Sequence, residues 1–375
     1  DGSGSSSSSG SGGDFLRLSS TVTGYSAAGD TAPATITTTP FLMAHDAGMV
    51  YLPPSIKGCG TYKTQALLWS DAMKNFVMGR QHSRYDSNDS PLTALLDCGA
   101  RALDMRLKST YSTSHCTTGP TDLPAGKLYM YHGDNSICST TFDEQLPSII
   151  EWSKNNPNEW VFLKIDTDGD STADYLVEDL FRRYDITLLN NKNGNNCGGG
   201  WSTDDTSKRG LVGYTKGCSD DNFDRSIGYC RVDSRSYPSL QDYIYHSQEK
   251  AKQHAELAAS EQKFFETQLL WQQNAMSQFG CLQYYDVLQL DHKSKLSERV
   301  AEMLNPTTSS QSPYLIETRD GTPGTYNMIK MNNICEHGSE IAKSIGTTIT
   351  KEQQDRCYHY CGGSNTYNDC GGTSH

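Results

Sequence analysis

The chain has 375 residues, with 32 Lys and Arg against 44 Asp and Glu and a formal net charge of −12. At roughly 150 residues per domain this allows about two to three domains or one large barrel, and the acidic balance argues against a groove built for nucleic-acid phosphates. A mean hydropathy of −0.62 and the lack of any run near about 18 apolar residues exclude a membrane-spanning helix. No basic-then-apolar leader opens the chain. The 12 cysteines, even in number and without tight CxxC pairs, predict a secreted, oxidised protein whose disulfide pairing cannot be deduced from spacing. Asn88-Asp89-Ser90 is the acceptor expected to carry glycan.

Residues 1–20, beginning DGSGSSSSSGSGG, read as a flexible Gly/Ser-rich arm, which suggests that something once preceded Asp1. Short apolar runs then alternate with amphipathic stretches. Strands are expected at 40–46, 100–107, 127–133, 159–166, 210–215, 279–290 and 325–334, and helices at 61–80, 91–98, 142–154, 172–183, 240–265 and 295–304. Residues 190–208, rich in Asn and Gly, read as an irregular loop. Residues 346–375 form a Cys-rich tail in which Cys357, Cys361 and Cys370 suggest a small disulfide knot. Strand followed by helix, repeated seven or eight times, predicts a TIM-type (β/α)8 barrel over 21–345, with distortion allowed. A doubly wound sheet is the alternative, weakened because no Gly-rich phosphate loop follows the first strand.

In such a barrel the polar residues that close each strand converge at its C-terminal face. Here they are His45 and Asp46, then Asp104 and Arg106, then His132, then Lys164 and Asp166. Residues two apart on a strand share a face, so Asp104 stands with Arg106 and Lys164 with Asp166. Two histidines for proton transfer, carboxylates to orient them and fixed cations for phosphate oxygens suit cleavage of a phosphodiester without a metal.

Taken together, MAHDAG, CGARALDMRLK, YMYHGD and NPNEWVFLKID resemble the successive motifs of the phosphatidylinositol-specific phospholipase C X-type domains, the metal-independent bacterial type in particular. The likeness extends from about residue 38 to 345, through RGLVGYT, LQDYIYHSQEKAKQ and TYNMIKMNN. It implies His45 as general base toward the inositol 2-hydroxyl and His132 as general acid assisted by Asp46. Arg106 would bind phosphate, with Asp104 and Lys164 completing the pocket and Asp242 and Tyr245 at the sugar. The implied partner is a phosphoinositide or glycosyl-phosphatidylinositol headgroup, with peripheral membrane contact. One departure stands out: where the bacterial enzymes place an Asp behind the base, this chain has Asn332 or Asn333.

Three alternatives accompany this reading. Asp166, Asp168 and Asp170 alternate as in a calcium loop, so calcium or magnesium is the minority cofactor, although Ser171 and Val177 depart from the EF-hand pattern. The Asn departure motivates a catalytically weak barrel serving as an extracellular structural or binding component with an assembly partner. A metal-dependent phosphodiesterase related to sphingomyelinase D or glycerophosphodiesterase is the third. Trp201 is the candidate for a lipid interface.

Overall fold

The computed structural model describes residues 35–48, 91–110, 124–132, 137–191, 197–198, 200–221, 263–270, 295–304, 315–317, 323–332 and 334–360. The expected strand at 279–290 and helix at 61–80 lie outside them. So do all but the last three residues of the expected helix at 240–265.

Within that set, the strands are β1 (Phe41–Ala44), β2 (Ala102–Ser109), β3 (Leu128–His132), β4 (Ile137–Thr141), β5 (Trp160–Asp166), β6 (Thr187–Leu189), β7 (Gly210–Thr215), β8 (Ser219–Asp221), β9 (Phe264–Gln268), β10 (Leu315–Glu317), β11 (Pro323–Thr325) and β12 (Met328–Met331). The helices are α1 (Pro91–Asp97), α2 (Phe142–Asn155), α3 (Ser171–Arg183), α4 (Leu296–Leu304), α5 (Ile334–Ser344) and α6 (Lys351–Tyr360). Eight strands form one curled sheet in the order β6-β7-β5-β2-β1-β12-β9-β8, and every pairing along it is parallel. A 3-10 turn at Lys216–Cys218 joins β7 to β8, so one bent stretch of chain pairs with β5 and β6 before the bend and with β9 after it. The result is a half-closed, distorted TIM-type barrel, as the strand and helix alternation predicts.

The alternation that makes these segments strands also divides the core in two. On β5, Val161, Leu163 and Ile165 join the outer apolar layer with the helices. Trp160 and Phe162 instead join Phe41, Met43, Val212, Tyr214, Phe264 and Met328 in an inner cluster. The rings of Phe41, Trp160 and Phe264 lie 5.0, 5.8 and 5.3 Å from that of Phe162, filling the N-terminal half of the barrel as a solid floor. Gly213 is required on the outer face of β7, because a Cβ there would stand 2.0 Å from the Phe181 ring of α3. Any side chain would require the Phe181 ring to leave its place against the sheet.

Three expectations need correction. The segment at 127–133 is a strand but not a barrel stave: β3 runs antiparallel to β2 and forms a hairpin with β4. The period-2 pattern is identical for either direction, which is why the sequence did not distinguish them. The helix expected to run to Phe265 has given way to strand β9 from Phe264. Finally, Cys357 does not join a knot within the tail. It is bonded to Cys98 across a sequence separation of 259, and the residues around it form α6, packed on α1. Asp97 fastens the same junction, accepting from Trp152 Nε1 at 2.8 Å and from Arg356 Nε and Nη2 at 2.7 and 2.9 Å. Cys197–Cys218 ties the loop after β6 to the 3-10 turn, in keeping with disulfide-fastened loops.

Candidate active site

Above the aromatic floor, the inward-facing positions turn polar on or just beyond six adjacent strands. Asp104 and Arg106 come from β2, Lys164 and Asp166 from β5, Tyr214 from β7, Glu266 from β9 and Lys330 from β12; His45 and Asp46 follow β1, and Asn332 follows β12. Parallel registry sets their levels: Asp104 pairs with Lys164, Lys164 with Tyr214, and Arg106 with Asp166. Ala44 pairs with Met331, so the residues after each, His45 and Asn332, meet at the mouth.

His45 and Asn332 are 2% and 4% exposed, and His45 Nδ1 lies 2.8 Å from Asn332 Oδ1. A carbonyl-type oxygen only accepts, so this contact assigns the proton to Nδ1 and leaves Nε2 as the basic nitrogen of the neutral ring. Nε2 is 3.3 Å from Asp46 Oδ2, and Asp46 Oδ1 is 2.9 Å from Arg106 Nε. Asp46 sits at φ 47, the left-handed region that Asp tolerates better than most residues and that recurs at functional sites. The chain turns sharply there, and the Asp46 carboxylate stands between the imidazole and the guanidinium.

Beneath this row lies a buried four-charge cluster that sequence reasoning missed in half its members. Lys164 Nζ is 2.7 Å from Glu266 Oε2 and 3.6 Å from Asp104 Oδ1, while Lys330 Nζ is 2.8 Å from Glu266 Oε2 and 3.0 Å from Asp104 Oδ2. Each ammonium bridges both carboxylates, which is the condition under which burying charge is tolerated. Glu266 was hidden because its strand, Phe264–Gln268, begins where a helix was expected to end and was not itself expected. Lys330 was legible, two residues before Asn332 on an alternating strand, but a lone lysine in an apolar run gives no hint of its partners.

Burial and charge set the protonation states. Burial lowers the His45 imidazole most, Asp46 and Asp104 oppose this, and Lys330 and Arg106 add to it, leaving its pKa at about 4 against 6.5. For Asp104, burial pushes upward, but Lys164, Lys330 and Arg106 prevail and hold the carboxyl far below its usual range. Glu266 is likewise lowered, burial being outweighed by Lys164 and Lys330. Burial acts to lower Arg106 and Lys164, yet their carboxylate neighbours raise both.

A depressed histidine has a defined stability signature. Between pH 6.5 and about 4 the unfolded chain accepts a proton that folded His45 refuses, so stability is full above 6.5 and falls as pH drops through this window. The loss is on the order of 3 kcal/mol. Denaturant midpoints at pH 7 and 4.5 should therefore separate more for the native protein than for His45→Gln; equal separations would contradict the assignment.

The acidic loop after β5 is committed to structure. Asp170 Oδ1 accepts from the Thr172 and Ala173 amides, and its Oδ2 accepts from the Ser109 amide and hydroxyl, all at 3.0 Å. Asp166 accepts from the Asp168 amide at 2.9 Å and pairs with Lys216 at 3.2 Å, and Asp168 pairs with Lys108 at 3.5 Å. This is a capped helix start, and the three residues do not fit a calcium loop. His45, Asp46 and Asp104 do bring one ligand-type atom each within 4.8 Å of one another. Their oxygens, however, already face Arg106, Lys164 and Lys330, whose positive charge opposes a divalent cation, so this set does not fit a metal either.

Of the expected site residues, the structure thus brings together His45, Asp46, Asp104, Arg106, Lys164 and Asn332. His132 ends β3, with its side chain outside the described residues, as are Asp242, Tyr245, Asn333 and Asn88 in full. Trp201 packs at the floor, 6.4 Å from Trp160, with Lys208 Nζ 5.0 Å from its ring centre. That places it at the barrel end away from the site and gives it a structural role there.

No protein-family model matches the chain, and no curated protein matches it. Among solved structures it is similar to the phosphatidylinositol-specific phospholipase C from Listeria monocytogenes, at 14% identity over 83% of this chain and 94% of that one, with a TM-score of 0.48. It is also similar to a mutant of the phosphatidylinositol-specific phospholipase C from Staphylococcus aureus, at 11% identity over 84% and 95% of the two chains, with a TM-score of 0.45. Likenesses at this level carry no argument about activity, and the fold stands on the strand order and registry above.

Proposed function

We propose that the chain is a phosphodiesterase of the phosphatidylinositol-specific phospholipase C type. The observation that carries this reading is the row Asn332, His45, Asp46, Arg106: a neutral imidazole with its tautomer set, a carboxylate beside its basic nitrogen and a guanidinium on that carboxylate. His45 Nε2 accepts the proton of the attacking 2-hydroxyl as its oxygen bonds to phosphorus. Asp46 stabilises the imidazolium so formed, and Arg106 meets the charge on the phosphate oxygens. The bond from phosphorus to the glycerol oxygen breaks, giving a cyclic inositol phosphate and diacylglycerol. His132 is assigned the protonation of that leaving oxygen on sequence grounds alone, as Asp242 and Tyr245 are assigned the sugar. Disulfides in a chain with 12 cysteines support an extracellular setting, with a phosphoinositide or glycosyl-phosphatidylinositol headgroup at a membrane surface as substrate.

The test is release of cyclic inositol phosphate from phosphatidylinositol vesicles in EDTA. The native chain should form product and His45→Ala should not. Absence of product from the native chain, strict dependence on added metal, or undiminished product from the variant would overturn the proposal. A second reading has one observation in its favour: the Asn332 amide holds the ring but carries no charge to offset an imidazolium. Headgroup binding without turnover would support such a barrel used for binding alone.

A further inference from the structure

The hairpin of β3 and β4 is no part of the barrel wall, yet β3 reaches the site, where it sets Met130 against the turn that holds Asp46. Gly48, two residues beyond Asp46, has no room for a side chain: a Cβ there would stand 2.7, 2.9 and 2.9 Å from Cβ, Cγ and Sδ of Met130. The nearest of these atoms is Cβ, which no change of rotamer moves, so turning the Met130 side chain cannot relieve the contact. Met130 is itself fully buried and shares the outer apolar layer with Ala47, Leu107 and Leu128.

The strand that carries Met130 is fixed from both sides. It pairs with β2 at Leu107 and Met130 and with β4 at Tyr129 and Tyr131, and its Leu128 amide donates to Asp143 Oδ2 at 2.9 Å. Asp46, Ala47 and Gly48, by contrast, lie beyond the last pairing of β1 with β12, at Ala44 and Met331. The turn is therefore the side that conforms to the strand. Its latitude is small: Asp46 stands at φ 47, a conformation that persists where its surroundings determine it, and its carboxylate has to meet His45 Nε2 at 3.3 Å and Arg106 Nε at 2.9 Å at once. We propose that Met130 is a positioning residue for Asp46: seated on Gly48, it sets the height of the turn and so the place of the carboxylate between the imidazole and the guanidinium. The inference rests on the reading of His45 and Asp46 as catalytic and adds the residue that places the second of them.

Gly48→Ala forces the turn away from Met130. Misplacing a catalytic group by about 1 Å can cost about 100-fold in rate, so kcat toward phosphatidylinositol should fall by about 10- to 100-fold. Denaturant unfolding is followed in parallel, so that kcat is expressed per folded chain and a loss of stability alone does not register. Two comparisons then separate positioning from packing. Gly48→Ala combined with Met130→Gly, which clears every one of the close atoms, should recover most of the lost kcat; if that chain does not fold, Gly48→Ala with Met130→Ala, which clears Cγ and Sδ, should recover part of it. In Asp46→Asn, where the carboxylate is already gone, adding Gly48→Ala should lower kcat by less than about threefold, because the two changes act through one group. Native kcat in Gly48→Ala, a loss that the Met130 variants leave unrelieved, or an equal loss in the Asp46→Asn background would overturn the proposal and leave the proposed activity intact. A native chain that releases no product refutes that activity and this inference with it.

Discussion

Asn332→Asp is expected to raise kcat/KM toward phosphatidylinositol at pH 7 by about 10- to 100-fold. The native amide oxygen accepts from His45 Nδ1 at 2.8 Å, which orients the ring but contributes no charge. In the native cluster Asp46, Asp104 and Glu266 balance Arg106, Lys164 and Lys330, so no net negative charge offsets the burial of the ring, and burial holds its pKa at about 4. A carboxylate in the amide's place would add one uncompensated negative charge in hydrogen-bond contact with the ring, lifting its pKa by about two units. Basicity would then approach the working pH, and the imidazolium formed during attack would be paired. The acid limb of the pH profile should move up from near 4 while the plateau rises. A limb that stays in place, or a plateau that falls, would show that the base is not limited by the residue behind it.

Arg106→Ala is expected to lower kcat/KM by about a thousandfold. Arg106 is the site cation whose side chain reaches solvent, 29% exposed against 5% and 2% for Lys164 and Lys330; the lysines are committed to buried carboxylates. Because Nε is the atom paired with Asp46, the outer nitrogens of the fork are those a phosphate would meet. Truncation therefore removes the charge that offsets the phosphate and also leaves Asp46 without its partner. Arg106→Lys should recover little, because a single ammonium cannot bridge Asp46 and two phosphate oxygens with the planar geometry of the fork. The two variants, assayed with native protein under saturating and limiting substrate, separate the roles: loss of Asp46 orientation appears in kcat, and loss of phosphate contact in both constants. Retention of more than about a tenth of native kcat/KM in Arg106→Ala would remove Arg106 from the phosphate-binding role.

How much of this was legible depends on range along the chain. Inward and outward alternation on β2 and β5 is local, so Asp104 with Arg106, and Lys164 with Asp166, could be paired from the sequence. His45 facing Asn332 required only that the first and last strands be neighbours, which the barrel expectation supplies. Strands β6 and β8, of three residues each, are too short for a period of two to register. The antiparallel turn of β3 leaves no trace in periodicity, and the pairing of Lys330 with Glu266 depends on β9 lying next to β12, a fact of sheet order that no local pattern contains. The same limit applies to Cys98 and Cys357, since twelve thiols offer many pairings and only the packing of α6 on α1 selects this one.

That bridge has a topological meaning apart from its contribution to stability, which in the chain-entropy view of so long a loop is on the order of 5 kcal/mol. The sheet strands β2 to β12, and with them every charged residue of the site except His45 and Asp46, lie inside a single covalent ring closed by Cys98 and Cys357. A protease that cuts this ring once, in any of its connecting segments, leaves both pieces of the molecule joined. Two cuts within the ring, or one cut together with a reductant, are needed before any strand from β2 to β12 can leave, whereas β1, with His45 and Asp46, hangs on the ring by a single stretch of chain.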